Sequence, residues 1–248
     1  MSGGIADIAP ARLALLNGGS VASATLTEGL AIDFAVLLAA AVPAIGAGRL
    51  ERMHAHAAAG ITRRMALAAQ LLLEANADLA PLQTHPSDTV RGWVCFAIAA
   101  QTGLTLPQLL AAMRTLADDG HFGVREWAWL ALRPRLAAEL ADAIALLVPW
   151  TADPSERVRR FACEALRPRG VWCAHIAQLK AQPQLALPLL QALRADPAVY
   201  VQDSVANWLN DAAKSQPDWV RALCAQWLQD SASAATQRIC KRAQRSLA

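Results

Sequence analysis

The sequence is poor in the residues that build sheets, metal centres and disulfide frameworks. Tyrosine occurs once and phenylalanine four times in 248 residues. Valine and isoleucine are thin beside alanine and leucine, so propensity argues against a strand-rich fold. The five cysteines, Cys95, Cys163, Cys173, Cys224 and Cys240, are odd in number and never closely paired. With no CxxC and no HxxxH pattern, no metal site and no cofactor are expected. The cysteines read as small buried hydrophobes of a reducing compartment. The longest apolar run, 34–46, contains Pro43 and falls short of the roughly 20 residues that a membrane span needs. The N-terminus lacks the basic-then-apolar order of a secretory signal. These absences predict a soluble, cytoplasmic protein with no membrane partner. A strong charge of one sign is missing too. The formal net charge is +3, which by itself says nothing about nucleic acid, so any such partner must be argued from where the basic residues cluster.

What is present is a repeat. A polar or helix-breaking stretch, a valine, a polar residue and an apolar helix recur four times: Pro86-Ser-Asp-Thr-Val90-Arg91-Gly-Trp93, His121-Phe-Gly-Val124-Arg125-Glu126-Trp127, Pro154-Ser-Glu-Arg-Val158-Arg159-Arg160-Phe161 and Pro197-Ala-Val-Tyr-Val201-Gln202-Asp203-Ser204. The marker valines stand 34, 34 and 43 residues apart, close to the period of two-helix repeats. A weaker fifth copy is placed at Ile239. Apolar segments of helical length lie between the markers, and prolines such as Pro107, Pro134, Pro154, Pro183 and Pro217 punctuate the joins. Asp118, Asp153 and Asp196 precede marker segments and are placed to cap the following helices.

One helical hairpin cannot bury its apolar face alone, whereas a stack of them can. The expected fold is therefore an all-α superhelical solenoid of HEAT-like hairpins with a concave face, forming a single domain over 1–248. Residues 1–20, ending in Asn17-Gly18-Gly19-Ser20, are expected to be flexible. Residues 21–80 are read as N-terminal capping helices, and 81–248 as the marked repeats.

Positions two, six and nine after each marker valine fall close to one helical stripe. They hold Glu126, Leu130 and Arg133 in one copy, Arg160, Glu164 and Arg167 in the next, and Asp203, Asn207 and Asn210 in the last, with Asp211 and Lys214 just beyond. The flanking positions, among them Phe161, Ala162, Val205 and Leu209, are apolar. The stripe thus sets carboxylates beside arginines and amides. An ordinary solvated face with ion pairs is the plain reading. A ligand-binding groove is the other.

Eight tryptophans weigh toward the groove. Most, Trp127 included, fall at core spacings. Trp129 and Trp172 are harder to place, and Trp172 follows the basic turn Arg167-Pro-Arg169-Gly. An indole beside such a turn suits stacking on a nucleoside or on a cationic base. Arg125, Arg159, Arg160, Arg167, Arg169 and Lys214 concentrate in the same zone, where phosphate contact competes with pairing to acids on neighbouring helices.

At these residues the chain resembles the AlkC/AlkD-type DNA alkylation-repair glycosylases, and the AlkC branch in particular. The resemblance is carried by His85-Pro-Ser-Asp-Thr-Val-Arg-Gly-Trp93, Asp119-Gly-His-Phe-Gly-Val-Arg-Glu-Trp-Ala-Trp129, Arg159-Arg-Phe-Ala-Cys-Glu-Ala-Leu-Arg-Pro-Arg-Gly-Val-Trp172 and Tyr200-Val-Gln-Asp-Ser-Val-Ala-Asn-Trp-Leu-Asn-Asp-Ala-Ala-Lys-Ser-Gln-Pro-Asp-Trp219. The stretch Thr27-Glu-Gly-Leu-Ala-Ile-Asp-Phe34 is similar to the same branch. The resemblance implies a monofunctional glycosylase, acting as a monomer on duplex DNA. It would remove N3-alkylated bases, chiefly 3-methyladenine and in this branch 3-methylcytosine, without an enclosed base-flipping pocket. Some relatives carry a further immunoglobulin-like domain at the C-terminus, and a chain ending at Ala248 is expected to be without it.

Carried over by motif, Glu164 and Asp211 are the catalytic carboxylates, with Glu126 in support and Asp203 as the alternative to Asp211. Trp172, with Trp129 and Trp127, would contact the nucleotide. Arg160, together with Arg125, Arg159, Arg167, Arg169 and Lys214, would hold the DNA backbone. An N3-alkylated base already carries positive charge, so the enzyme needs only to stabilise an oxocarbenium-like sugar and orient water. The competing readings are a HEAT-repeat scaffold for a protein partner and a DNA-binding relative without activity.

Overall fold

A computed structural model of the chain describes residues 4–170 and 172–247, and among these it contains helices, turns and coil but no strand. The helices cluster into two compact units, Met1–Ala131 and Leu132–Ala248. The first carries α1 (Pro10–Asn17), α2 (Leu26–Ala31), α3 (Phe34–Ala41), α4 (Ala47–Ala55), α5 (Ile61–Glu74), α6 (Asp88–Ala99), α7 (Leu106–Ala117) and the start of α8 (Phe122–Ala138). The second carries the rest of α8, then α9 (Leu140–Leu147), α10 (Glu156–Glu164), α11 (Ala177–Ala181), α12 (Leu187–Leu193), α13 (Val199–Ala213), α14 (Pro217–Asp230) and α15 (Ala234–Ala243). The stretch before residue 20 includes α1, whose Leu16 is fully buried.

The marker motif has a physical explanation. All four valines, Val90, Val124, Val158 and Val201, are completely buried. The residue after each one turns its side chain back onto the loop that precedes its own helix. Arg91 donates through Nη1 to the carbonyls of His85 and Pro86, at 2.5 and 3.1 Å. Arg125 does the same to Asp119 and Gly120 at 2.8 and 3.0 Å, and Arg159 to Asp153 and Pro154 at 2.9 and 3.0 Å. Gln202 repeats the pattern through Nε2 to Asp196 and Pro197, at 2.8 and 3.4 Å. Loop carbonyls that would otherwise lack partners are satisfied in this way.

The same loops hold the residue five before each valine, which accepts a hydrogen bond from the backbone N–H two residues on. These contacts are Asp119 to His121, Asp153 to Ser155 and Asp196 to Ala198, with the imidazole Nδ1 of His85 serving Ser87. They are side-chain turns rather than helix caps. In the first of these loops Asp119 fills the place, and Asp118, expected there, instead lies 3.8 Å from Arg114. Within each unit the aspartate also joins one repeat to the one before. Arg91 reaches Asp119 through Nε and Nη2 at 2.8 and 3.2 Å, and Arg159 reaches Asp196 at 2.6 and 3.0 Å.

Packing completes each unit. In the first, Trp127 lies against Gly92, where an added Cβ would come within 2.7 Å of its ring and 2.5 Å of Met65. Only glycine permits that approach. In the second, α10 and α13 pack together, as do α13 and α15. Trp208 and Trp227 are buried there, and the Trp208 indole donates to the Leu166 carbonyl at 2.8 Å.

Candidate active site

The cluster that holds the predicted carboxylates belongs to the second unit and is built by α10, the turn after it, and α13. Ser155 caps α10 by accepting from the Arg157 N–H. Glu164 is the last residue of that helix. Pro168 disfavours a helical Arg167, so the chain turns, with the Arg167 N–H on the Glu164 carbonyl at 3.3 Å. The Arg167 side chain thereby lies over Glu164. On α13, Ser204 and Asp211 are seven residues apart, nearly two full turns, and so share a face. Glu164, Ser204 and Asp211 are all buried.

Glu164 Oε2 accepts from the Ser204 hydroxyl at 2.5 Å, and Oε1 accepts from Arg167 Nη1 at 2.7 Å. Arg167 reaches Asp211 Oδ2 with its remaining nitrogens, Nε at 2.9 Å and Nη2 at 2.8 Å. One guanidinium therefore bridges both acids. Two further cations stand at longer distances from the acids. Arg160 Nη2 stands 3.7 Å from Glu164 Oε2, and its guanidinium lies over the Tyr200 ring at 4.5 Å. Lys214 Nζ stands 3.5 Å from Asp211 Oδ1 with half its side chain exposed.

Burial by itself would push the Glu164 carboxyl up. The charges of Arg160 and Arg167, with the hydrogen bonds from Ser204 and Arg167, outweigh it and leave the group below its ordinary value. Arg167 is likewise disfavoured by burial, yet Glu164 and Asp211 raise it above the usual guanidinium range. Both groups are therefore charged at neutral pH.

The loop leaving α10 is tied down by Arg133, which donates to the carbonyls of Ala165 at 2.9 Å, Arg167 at 2.6 Å and Ala174 at 3.2 Å. A cation there also suits the negative end of the helix. The Ile176 N–H closes the loop on the Pro168 carbonyl at 3.1 Å. Within it, Gly170 has no room for a side chain, since a Cβ would fall 2.2 Å from the Cys173 sulfur. Cys173 is half-buried, unlike the other four cysteines, which are buried. Trp172 sits here with φ of 60°, left-handed backbone that costs energy in a bulky residue. Its side chain is 65% exposed, the most open large apolar group in the described chain.

The structure sorts the sequence-predicted residues as follows. It brings Glu164, Asp211, Arg160, Arg167 and Lys214 together and leaves Trp172 free on the adjoining loop. Asp203 is turned elsewhere. One residue from Ser204, it faces about 100° away on the helix and pairs with Arg238 at 2.7 Å and Arg242 at 3.0 Å on α15. Glu126, Trp127 and Trp129 belong to the first unit. Glu126 Oε2 accepts from the Trp129 indole at 2.9 Å, Trp129 is buried, and Trp127 packs on Gly92 and Phe96. Both indoles are engaged in packing within the first unit. Arg125 and Arg159 are held by their own loops, because carbonyls there need donors. Arg167 is taken by the two carboxylates, and Arg169 donates to the Ser215 hydroxyl at 2.7 Å. Sequence reasoning gave no role to Ser204 or Tyr200, and it placed Arg133 in the polar stripe without its part in holding the loop after α10. The spacing of Ser204 from Asp211 was the available signal for the first.

A model for HEAT repeats matches residues 76–167, and a model for DNA alkylation repair enzymes matches 126–243. The structure is similar to the Pseudomonas fluorescens alkylpurine DNA glycosylase AlkC, solved bound to DNA containing an abasic site analog. The likeness has a TM-score of 0.67 and 30% identity, over 86% of this chain and 61% of that one. AlkD2 from Streptococcus mutans shares the fold at 21% identity and a TM-score of 0.57, over 80% of this chain and 88% of that one. An uncharacterised Bacillus subtilis protein, YhaZ, is 42% identical over 97 residues, which is 39% of this chain and 27% of that protein. The chain thus spans about three-fifths of AlkC. On the two matched models, which together run through 76–243, and on the likeness to AlkC, this chain is a member of the HEAT-repeat DNA alkylation repair enzyme family.

Proposed function

We propose that this protein is a monofunctional DNA glycosylase that hydrolyses the N-glycosidic bond of cationic N3-alkylated bases in duplex DNA, with 3-methyladenine the first substrate to test and 3-methylcytosine the second. The reading is carried by two buried carboxylates, Glu164 and Asp211, held on one guanidinium beside a loop that presents an exposed indole.

An N3-alkylated base leaves without being protonated. The barrier lies in the positive charge that builds on the sugar as the bond breaks. Preorganised negative charge in a poorly solvated site lowers that barrier without reorganising during the reaction. Glu164 and Asp211 supply the charge and orient the water, Trp172 packs on the nucleotide, and Arg160 and Lys214 are the cations placed to meet phosphate.

The test is base release from methylated duplex DNA by the purified chain. The expected result is free 3-methyladenine, with Glu164→Gln and Asp211→Asn each slowing single-turnover excision, and with binding that weakens steeply with salt. Binding with that salt dependence but without base release would mark an inactive relative. No binding at all would favour a protein-binding scaffold.

A further inference from the structure

We infer that Arg167 is the positioning residue of this site, holding Glu164 and Asp211 in a fixed orientation on one guanidinium, and that it does not contact the DNA backbone. The inference rests on the glycosylase reading and deepens it.

Arg167 has three nitrogens, and each is within 2.9 Å of a carboxylate oxygen. Its side chain is only 14% exposed. A phosphate contact would have to break at least one of these charge-assisted bonds and strand a buried acid, which is costly. Lys214 stands 3.5 Å from Asp211 with half its side chain exposed and can turn away at less cost. The basic residues on Asp211 therefore divide into a fixed cation, Arg167, and a releasable one, Lys214.

The fixed cation solves a problem of like charge. Two carboxylates in one poorly solvated cluster repel, and like charge with burial disfavours the ionised form of such a pair. A protonated acid cannot stabilise a developing oxocarbenium. A guanidinium forked between the two removes the repulsion and sets both planes at once, which a single ammonium cannot do. Ser204 adds a second donor to Glu164 from α13, so the acid on α10 is oriented from two sides.

The experiment compares wild type, Arg167→Ala, Arg167→Lys, Ser204→Ala and Lys214→Ala in single-turnover base release between about pH 3.5 and 9, each rate corrected for spontaneous base loss. The salt dependence of binding to a duplex carrying an abasic site is measured on the same proteins. Arg167→Ala is expected to slow excision by about 100-fold or more and to move the acidic limb of the pH profile up by about one unit or more. Arg167→Lys recovers part of the rate, and Ser204→Ala shifts the limb in the same direction by less. The salt slope stays at the wild-type value in all three and falls by about 0.9 only in Lys214→Ala. If Arg167→Ala does not fold, Arg167→Lys and Ser204→Ala carry the same two readouts. A salt slope lowered by about 0.9 in the Arg167 variants, with an unmoved pH profile, overturns the inference. A wild type that releases no base instead sinks the glycosylase reading, and the salt slope still decides whether Arg167 meets phosphate.

Discussion

The pairing of Arg159 with Asp196 gives the sharpest test of how the repeats are held together. Asp196 does two things. Its carboxylate takes two bonds from Arg159, at 2.6 and 3.0 Å, and its Oδ1 also accepts the Ala198 N–H at 2.9 Å. Only 4% of the aspartate side chain is exposed, against 14% of the arginine's. Removing one partner of such a buried pair costs about 3–5 kcal/mol, because the other charge is left uncompensated. Arg159 retains its bonds to the Asp153 and Pro154 carbonyls and some contact with water, so Asp196→Ala should lie toward the lower end, about 3 kcal/mol. Asp196→Asn keeps an oxygen for Ala198 and loses the charge, and should cost about 1–2 kcal/mol. In a double-mutant cycle of Arg159→Met with Asp196→Asn, the coupling should be about 1–3 kcal/mol, read from urea or thermal unfolding. The Arg159→Met protein should also bind duplex DNA with the wild-type salt slope, since this guanidinium is spent on the fold. A coupling below about 0.5 kcal/mol, or a salt slope lowered in Arg159→Met, would refute the reasoning.

Four further outcomes follow from the same geometry. Glu164→Gln and Asp211→Asn should each reduce single-turnover excision by about 100-fold or more, with the duplex still bound. Glu164 is held below the ordinary glutamate range, so its pairing stabilises the fold above the unfolded value of about 4.3 and is lost as pH falls through the lower folded value. The stability gap between wild type and Glu164→Gln, followed by urea unfolding, should therefore be full near neutrality and close toward strong acid. Gly170→Ala should destabilise the second unit by about 1–3 kcal/mol through overpacking, and adding Cys173→Ala should restore most of the loss in a thermal melt, because the clash is with that sulfur. Trp172→Ala should lower excision while leaving the melting temperature unchanged, because an indole 65% exposed contributes little to the core.

Much of the architecture was legible because it is written locally. Alanine and leucine content, prolines at the joins and the recurring valine each act over a few residues, and they specify helices and their period before any packing is known. The valines are buried as their spacing implied, and the helices start near the expected prolines. The polar residue after each valine was misjudged for a related reason. Arg125 and Arg159 are basic residues in a basic zone, and composition does not show that a loop five and six residues upstream has carbonyls to satisfy. Trp127, Trp129 and Trp172 look alike in sequence, because an indole that packs and one left open have the same residue code, and the structure separates them by exposure: Trp129 is buried and Trp172 is open. Sequence could not tell which of Asp211 and Asp203 lies beside Glu164, and α13 puts Asp211 on the face of Ser204 and Asp203 toward α15.

By itself the sequence determined an all-helical repeat protein of the alkylation-repair type, since periodicity and motif are properties of the linear chain. The tertiary structure alone decided how charge is shared. Arg167 and Asp211 lie 44 residues apart, Ser204 and Glu164 lie 40 apart, and Arg159 and Asp196 lie 37 apart. An ion pair forms between groups that packing brings within hydrogen-bond reach, whatever their separation along the chain. Which arginines remain available to a phosphate is therefore settled only after the helices have stacked.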